Sequence, residues 1–247
     1  MRRETFINGN FYHIYNRGVD KRKIFLDERD HARFLIALYL FNDVSLHDYD
    51  LTKLDLRGLA SYSDKRIRLV DIIQWCQMPN HYHLLLRQLI ENGISMFMQR
   101  VGTSFSMYFN KKHERSGRFF EGPFKAKFVE KDEYFSHLST YIPLNAVDLY
   151  WPDWKDKGIP SKNLQLVKNR LSYYRWSSFK EYFTKKDVLP NFLSKDGFYG
   201  IFGGSNKDYE KLIDHYLLQG LPQKHKSELL IYEAKPRSSK PRSSKTS

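Results

Sequence analysis

The sequence predicts an α+β fold in which an antiparallel hairpin is the central element. β-prone runs occupy residues 11–18, 69–76 and 81–87, and the last two flank a segment at 77–80 whose Pro and Asn favour a turn. Amphipathic helical patterns alternate with these runs along the chain. The expected order is strand, helix, hairpin, helix, strand and helix, followed by further helices towards the C-terminus.

Two helices are predicted from capping residues and apolar periodicity. Asp27 or Asp30 can cap the first, and Ser95 can cap the second, which ends near Asn110. Each carries an apolar face that can pack on a sheet. The apolar positions are Phe34, Leu35, Leu38 and Phe41 in the first helix, and Phe97, Val101, Phe105, Tyr108 and Phe109 in the second.

The segment 124–129 is expected to form a half-buried strand. Apolar side chains alternate there with cations, so that Lys125 and Lys127 fall on one open face. Arg and aromatic residues also interleave in the preceding segment, 115–123. Such a pattern is typical of a single-strand binding groove, because cations follow phosphates and rings stack on bases. A strand with a solvated lysine face would give the same pattern.

The charge balance points to a polyanionic partner. Lys and Arg number 41 against 28 Asp and Glu, a net charge of +13, and 16% of the residues are aromatic. The longest strongly apolar run, 34–41, is too short to cross a membrane, and residues 1–6 do not begin a secretory signal. A single cysteine, Cys76, excludes an internal disulfide. We therefore expect a soluble, intracellular protein that binds nucleic acid and no membrane.

Composition divides the chain into three parts. Residues 1–150 hold the elements above and form the expected main domain, interrupted at about 42–66 by a peripheral insertion without sustained periodicity. Residues 151–232 are expected to form an extension packed by aromatic side chains. Residues 233–247 contain a repeated basic Lys-Pro-Arg-Ser-Ser unit, and such a low-complexity tail should be disordered.

The hairpin carries two histidines that can act together. His81 and His83 point to the same face of their strand, while Tyr82 points to the other. A neutral imidazole nitrogen suits many divalent cations, so the pair could supply two metal ligands. Ordinary surface or core histidines would show the same spacing.

A third helix, from about 133 to 150, can complete such a site. Tyr141 and Asn145 lie four residues apart and therefore share a helix face. Asn145 can offer its amide carbonyl to a hard cation, and Tyr141 would place a phenol beside it. Tyrosine and asparagine also occur at this spacing by chance, so the interpretation depends on the combination with the histidine pair.

The combined motifs resemble the single-tyrosine HUH transposases, and in particular the REP-associated tyrosine transposases. The resemblance spans roughly residues 11–180, and its specificity comes from the order and spacing of the motifs. They are Tyr12-His13-Ile14-Tyr15-Asn16-Arg17-Gly18, Met78-Pro79-Asn80-His81-Tyr82-His83-Leu84-Leu85-Leu86, Gly117-Arg118-Phe119-Phe120-Glu121-Gly122-Pro123-Phe124-Lys125, Tyr141-Ile142-Pro143-Leu144-Asn145-Ala146-Val147 and Trp176-Ser177-Ser178.

The resemblance implies a ferredoxin-like antiparallel sheet of the HUH endonuclease type, with helices on one face, to which the helical C-terminal extension is added. It also implies that His81, His83 and Asn145 bind a divalent metal, Mg²⁺ or Mn²⁺, and that Tyr141 is the nucleophile. The chain departs from the family where Pro143 replaces a histidine and Ala146 replaces a proline.

The implied function is a DNA transposase that cleaves and rejoins single-stranded, hairpin-containing DNA through a 5′-phosphotyrosine intermediate. We expect Arg17, Arg118, Lys125 and Lys127 to contact the DNA backbone, and the protein to act as a monomer or homodimer near the nucleoid in the cytoplasm. Two alternatives remain open. A replication initiator or relaxase would share the chemistry, and a domesticated, non-catalytic protein would bind hairpin DNA without nicking it. A metal hydrolase is disfavoured because no Asp lies two residues after His83.

Overall fold

A computed structural model of the chain describes residues 5–45, 54–60, 65–130, 132–184 and 189–224. Part of the predicted insertion at 42–66, and the whole tail at 233–247, lie outside them. Four strands pair within the described residues as one antiparallel sheet, in the order β2-β3-β1-β4. The strands are β1 (Phe11–Arg17), β2 (Val70–Met78), β3 (His81–Gln88) and β4 (Lys125–Phe128).

Two helices connect these strands and pack on one face of the sheet. α1 (Glu28–Leu40) lies between β1 and β2 in the chain, and α3 (Gly93–Lys112) lies between β3 and β4. Phe34 of α1 contacts both Tyr82 of β3 and Phe105 of α3, at ring centroid distances of 4.8 and 5.1 Å. Together with the strand order, this βαββαβ arrangement confirms the predicted ferredoxin-like fold.

The starts of these helices follow their capping groups. The Asp27 carboxylate accepts the backbone amide of Asp30 at 3.0 Å and caps α1, as predicted. The prediction that Ser95 caps the second helix is wrong by three residues, because the residue at the N-cap is Asn92. Asn92 takes a left-handed conformation, with φ of 59°, and α3 begins at Gly93. A Cβ atom at Gly93 would lie 2.4 Å from a backbone oxygen beside β2, so only glycine fits there.

Further helices cover the opposite face of the sheet. α4 (Asp132–Leu144) packs on β2 and β3, while α8 (Lys195–Phe202) and α9 (Asn206–Gln219) pack against α4. The predicted helical C-terminal extension is therefore present. Within the described parts of the chain, every helix is too short or too polar to span a bilayer. The remaining helices are α2 (Leu56–Ala60), α5 (Trp154–Lys157), α6 (Leu164–Tyr173) and α7 (Phe179–Phe183), with 3₁₀ turns at Val19–Lys21, Asn145–Leu149 and Ser161–Asn163.

The Trp-Ser-Ser motif extends the sheet beyond the edge strand β2. The Gln77 amide donates to the Trp176 carbonyl at 2.8 Å, and the Ser178 amide donates to the Trp75 carbonyl at 2.9 Å. The Ser178 hydroxyl also accepts the Trp75 amide at 3.1 Å. The motif therefore joins the C-terminal part of the chain to the hairpin.

The helix that carries Tyr141 ends earlier than the predicted limit at residue 150. α4 ends at Leu144, and Asn145 opens a 3₁₀ turn. The Asn145 side-chain amide donates to the carbonyls of Tyr141 and Ile142, at 2.9 and 3.3 Å. These two carbonyls would accept hydrogen bonds from the next helical turn, so the side chain takes the place of that turn.

Pro143 lies inside α4, at the position where the resembled family has a histidine. Proline has no N–H, so the carbonyl of Ser139, four residues earlier, has no helical donor. The Tyr209 hydroxyl of α9 donates to this carbonyl at 2.7 Å and accepts the side-chain amide of Gln74 at 3.1 Å. The proline is therefore compensated by a hydrogen bond that ties α4 to α9 and β2.

Tyr209→Phe should lower the free energy of unfolding by about 1–3 kcal/mol, because it removes a buried donor from the Ser139 carbonyl. In a Pro143→Ala background, residue 143 regains a backbone amide that can donate to the Ser139 carbonyl. Tyr209→Phe should therefore lower the free energy of unfolding by a smaller amount in that background. Urea unfolding of the four proteins of this cycle measures the coupling. If Tyr209→Phe lowered the free energy of unfolding by the same amount in both backgrounds, the expected coupling between Pro143 and Tyr209 would be contradicted. Tyr173→Phe is the control and should be near neutral, since Tyr173 is 85% exposed.

Candidate functional site

One face of the sheet collects the polar side chains that the sequence motifs carry. Strand alternation places alternate residues of β1, β3 and β4 on this face. In the observed register Tyr15 pairs with His83 and with Lys125, and Arg17 pairs with His81. The face is lined by His13, Tyr15 and Arg17 of β1, His81 and His83 of β3, and Lys125 and Lys127 of β4.

His81 is held in one orientation by the turn of the hairpin. Its Nδ1 atom lies 2.6 Å from Oδ1 of Asn80, and the Asn80 amide nitrogen donates to the Lys21 carbonyl at 3.2 Å. This second bond orients the amide, so its oxygen faces the imidazole and must accept. The proton of neutral His81 is therefore on Nδ1, and its Nε2 lone pair is available for a cation.

His83 is oriented by a third histidine, to which the sequence interpretation gave no role. His13 Nε2 lies 2.8 Å from His83 Nδ1, and the two rings stack at a centroid distance of 5.1 Å. When His83 donates through Nδ1, its Nε2 lone pair is available beside that of His81. Both histidines of the hairpin thus have the second hydrogen bond that metal-binding imidazoles usually make.

Burial keeps these imidazoles uncharged. Burial, followed by the nearby charges of Lys155 and Arg17, lowers the pKa of His81 to about 3. Burial, followed by Lys127, lowers the pKa of His13 to about 3. The pKa of His83 is well below 6.5, because of burial and then of its neighbours. At neutral pH the rings therefore present lone pairs rather than positive charges.

Tyr141 lies against His83, one member of this histidine pair. Its ring meets the His83 ring edge to face, at a centroid distance of 5.8 Å and an interplanar angle of 74°. On the α4 side it stacks on His137, with centroids 6.1 Å apart and an angle of 11°. His137 is itself held by the Tyr216 hydroxyl at 2.9 Å. The structure therefore brings Tyr141 and His83 together.

Asn145 has an oxygen that suits a metal ligand. Its side chain is buried, and its Oδ1 atom has no hydrogen-bond partner within the described residues. Such an atom is costly to leave without a partner, and a hard cation would satisfy it. No three His, Cys, Asp or Glu side chains in the described parts of the chain are placed to hold a metal. A metal held with His81 and His83 would therefore need a donor such as this amide.

Two of the four predicted DNA-contacting residues lie beside the histidines. Arg17 and Lys125 line a cleft of about 30 Å³ with His81 and His83. Glu121 lies in the same cleft, with an oxygen 3.2 Å from Arg17 Nε and another 3.8 Å from Lys125 Nζ. The cleft is therefore cationic with one internal carboxylate, and a phosphate could replace that carboxylate as the partner of Lys125.

The other two predicted cations are placed differently. Lys127 lies on the same face, opposite His13, and its ammonium is 4.5 Å from the centroid of the Tyr134 ring. Arg118 is exposed on the loop before β4, where Nη1 is 3.4 Å from the Glu121 carbonyl oxygen. Arg118 is not among the residues that line the histidine cleft.

Lys155 and Asp148 also belong to the site, and the sequence interpretation missed them. Lys155, in α5, is only 5% exposed, and its Nζ lies 2.6 Å from Oδ2 of Asp148. The same ammonium lies 5.3 Å from the centroid of the Tyr141 ring. A lysine in a polar stretch after Trp154 has no sequence signal that predicts this position, because its burial comes from tertiary packing.

His13→Gln should make stability less dependent on pH between pH 7 and pH 4. The folded-state pKa of about 3 is below the ordinary 6.5, so the unfolded chain takes up the proton first as the pH falls. Stability is therefore complete above pH 6.5 and decreases on acidification, by at most about 1.4 kcal/mol per pH unit. Glutamine does not take up a proton in this pH range, so His13→Gln removes the pH-dependent contribution of His13 to stability. Urea unfolding at a series of pH values tests it, and an unchanged pH dependence in His13→Gln would contradict it.

Comparison with known proteins finds a family and a solved structure that are similar to this chain. A family described as "Transposase IS200 like" matches residues 59–145, a span that includes the hairpin, Tyr141 and Asn145. A solved structure of a REP-associated tyrosine transposase bound to a REP hairpin matches the fold with a TM-score of 0.50 and 14% identity, covering 78% of this chain and 90% of that one. No curated protein sequence matches the chain. The resemblance to the single-tyrosine transposases, and the fold that it implied, are confirmed.

Proposed function

Since residues 59–145 are similar to IS200-like transposases, we propose that the chain cleaves and rejoins single-stranded, hairpin-containing DNA through a covalent bond to Tyr141. One observation carries the proposal. The Tyr141 ring contacts His83, whose neutral imidazole lies beside that of His81 on a sheet face that also carries cations. This grouping supports roles for Tyr141 as the nucleophile, for the histidines as metal ligands and for the cations as a phosphate-binding surface.

In this proposal the Tyr141 phenol oxygen attacks the phosphorus in line with the bond to the departing 3′ oxygen. A tyrosine–phosphorus ester forms, the bond between phosphorus and the 3′ oxygen breaks, and the proton lost by the phenol is balanced by one gained at the 3′-hydroxyl. The 5′-phosphotyrosine retains the energy of the phosphodiester bond, so a later attack by another 3′-hydroxyl can rejoin strands without ATP.

The residues around Tyr141 prepare it for this attack. His83 and His137 hold the ring from two sides, at centroid distances of 5.8 and 6.1 Å, so little orientational freedom is lost when DNA binds. Arg17 and Lys125 can hold the DNA backbone next to the histidines. They position the phosphate but carry no sequence information.

The donor set fits a divalent cation of the Mg²⁺ or Mn²⁺ type. Nε2 of His81, Nε2 of His83 and Oδ1 of Asn145 would hold it. Two are neutral imidazole nitrogens, and the third is a buried amide oxygen with no hydrogen-bond partner among the residues that the structure describes. When bound, such a cation supplies Lewis-acid polarisation of the scissile phosphate. The proposed partner is hairpin DNA. The proposed active form is a monomer or a homodimer, located at the nucleoid in the cytoplasm.

A non-catalytic hairpin-binding protein is the second candidate. Tyr141 is only 1% exposed, so a substrate phosphate must reach a side chain that is almost completely covered. A domesticated protein would keep the cationic face for binding and would have no need of an accessible phenol. It would bind hairpin DNA equally well with EDTA and form no adduct.

Tyr141→Phe should abolish the covalent adduct with labelled hairpin DNA from the flanks of the gene, assayed with Mn²⁺ on a denaturing gel. Tyr15→Phe is the matched control, because its ring also lies near His83, at a centroid distance of 6.0 Å. The control should keep the adduct, since Tyr15 is held on β1 and not on the helix with Asn145.

If Tyr15→Phe lost the adduct and Tyr141→Phe kept it, Tyr141 would not be the nucleophile and the proposed assignment would be wrong. Hairpin binding by the wild type without an adduct, and without an effect of EDTA, would favour the non-catalytic candidate. A metal-dependent, protease-sensitive adduct would support the enzyme.

Lys125→Ala should weaken DNA binding and reduce its dependence on salt. A lysine that neutralises one phosphate releases one counterion, so the slope of log K against log salt should fall by about 0.7 for single-stranded DNA. Fluorescence anisotropy over a salt series measures this slope. Lys211→Ala, an exposed lysine on α9, is the control and should keep the wild-type slope. If the two variants had equal slopes, Lys125 would not be one of the residues that contact the DNA backbone.

A further inference from the structure

We propose that the Lys155 ammonium stabilises the negative charge that develops on Tyr141 and the scissile phosphate during strand transfer. This inference rests on the proposed function. Lys155 comes from α5, outside the matched span 59–145, so no comparison assigns it a role.

The burial of Lys155 needs an explanation. Its side chain is 6% exposed, and a charged amine is rarely buried unless it is paired. Asp148 supplies that pair at 2.6 Å through Oδ2, while its Oδ1 accepts the Trp154 indole N–H at 2.7 Å. An ion pair of this kind can be purely structural, joining α5 to the 3₁₀ turn after α4.

The direction of the ammonium argues for a further role. It lies over the face of the Tyr141 ring, 5.3 Å from the centroid, and is therefore a buried positive charge in contact with the residue whose hydroxyl is the proposed nucleophile. Its charge also lowers the pKa of His81 and His83, which places it within electrostatic range of the proposed metal ligands. One buried cation therefore lies beside Tyr141 and within electrostatic range of both proposed histidine ligands.

A cation in this position favours the transition state over the ground state. The neutral phenol gains only a cation–π contact, whereas the attacking oxygen and the phosphate carry negative charge that the ammonium attracts directly. The attraction is strong in a buried site, because little water screens it. Lys155 would therefore affect the rate of bond formation much more than DNA affinity.

The full chain with Mn²⁺ and a labelled hairpin from the flanks of the gene provides the test. The rate constant of adduct formation at saturating DNA, the Kd by anisotropy and the midpoint of urea unfolding are measured for each variant. Lys155→Met should slow the adduct by roughly a hundredfold, as removal of one charge-stabilising group does. Its Kd should not change, and Lys155→Arg should recover much of the rate.

The double variant Asp148→Asn, Lys155→Met separates this role from a structural ion pair. It leaves no unpaired buried charge, so its unfolding midpoint should rise above that of Lys155→Met. If Lys155 acts on Tyr141, the double variant stays as slow as Lys155→Met. Recovery of the rate together with the stability would overturn the inference while leaving the proposed function intact. A wild type that forms no adduct would overturn the proposed function and the inference with it.

Discussion

The antiparallel pairing of β1 with β3 is the constraint on which the candidate site depends. It sets Tyr15 opposite His83 and Arg17 opposite His81, so the imidazoles and a cation share one face. A shift of one residue would turn either set of side chains towards α1 and α3. The packing of Phe34 against Tyr82 resists such a shift, because it would place polar rings in the apolar layer.

Hydrogen bonds of buried polar groups hold α4 on this face, in addition to apolar packing. His137 is bound to Tyr216 of α9, and Ser139 is bound to Tyr209 of the same helix. Asn145 closes the end of α4 with its own amide. A buried polar group is costly without its partner, so these bonds favour one arrangement of the helix over shifted alternatives. The position of Tyr141 follows from them.

The sequence could predict what depends on local pattern. The hairpin and the common face of His81 and His83 follow from residue types and strand alternation, and both are observed, although β2 continues to Met78 and leaves only Pro79 and Asn80 in the turn predicted at 77–80. The end of α4 could not be predicted, because helical periodicity continues past Leu144 and only the Asn145 side chain shows where the backbone bonds stop. The roles of His13 and Lys155 depend on strand register and tertiary packing, which one sequence does not contain.

Pro143 and Tyr209 have a consequence for how such a chain can evolve. Proline frees a carbonyl deep in the protein, and a residue 66 positions later in the chain supplies the donor for it. Loss of the Tyr209 hydroxyl is expected to cost more stability while Pro143 is present, so the proline makes the tyrosine harder to replace. A descendant that lost the C-terminal helices would have to recover an amide at position 143. The extension is in this sense an integral part of the helix that carries Tyr141.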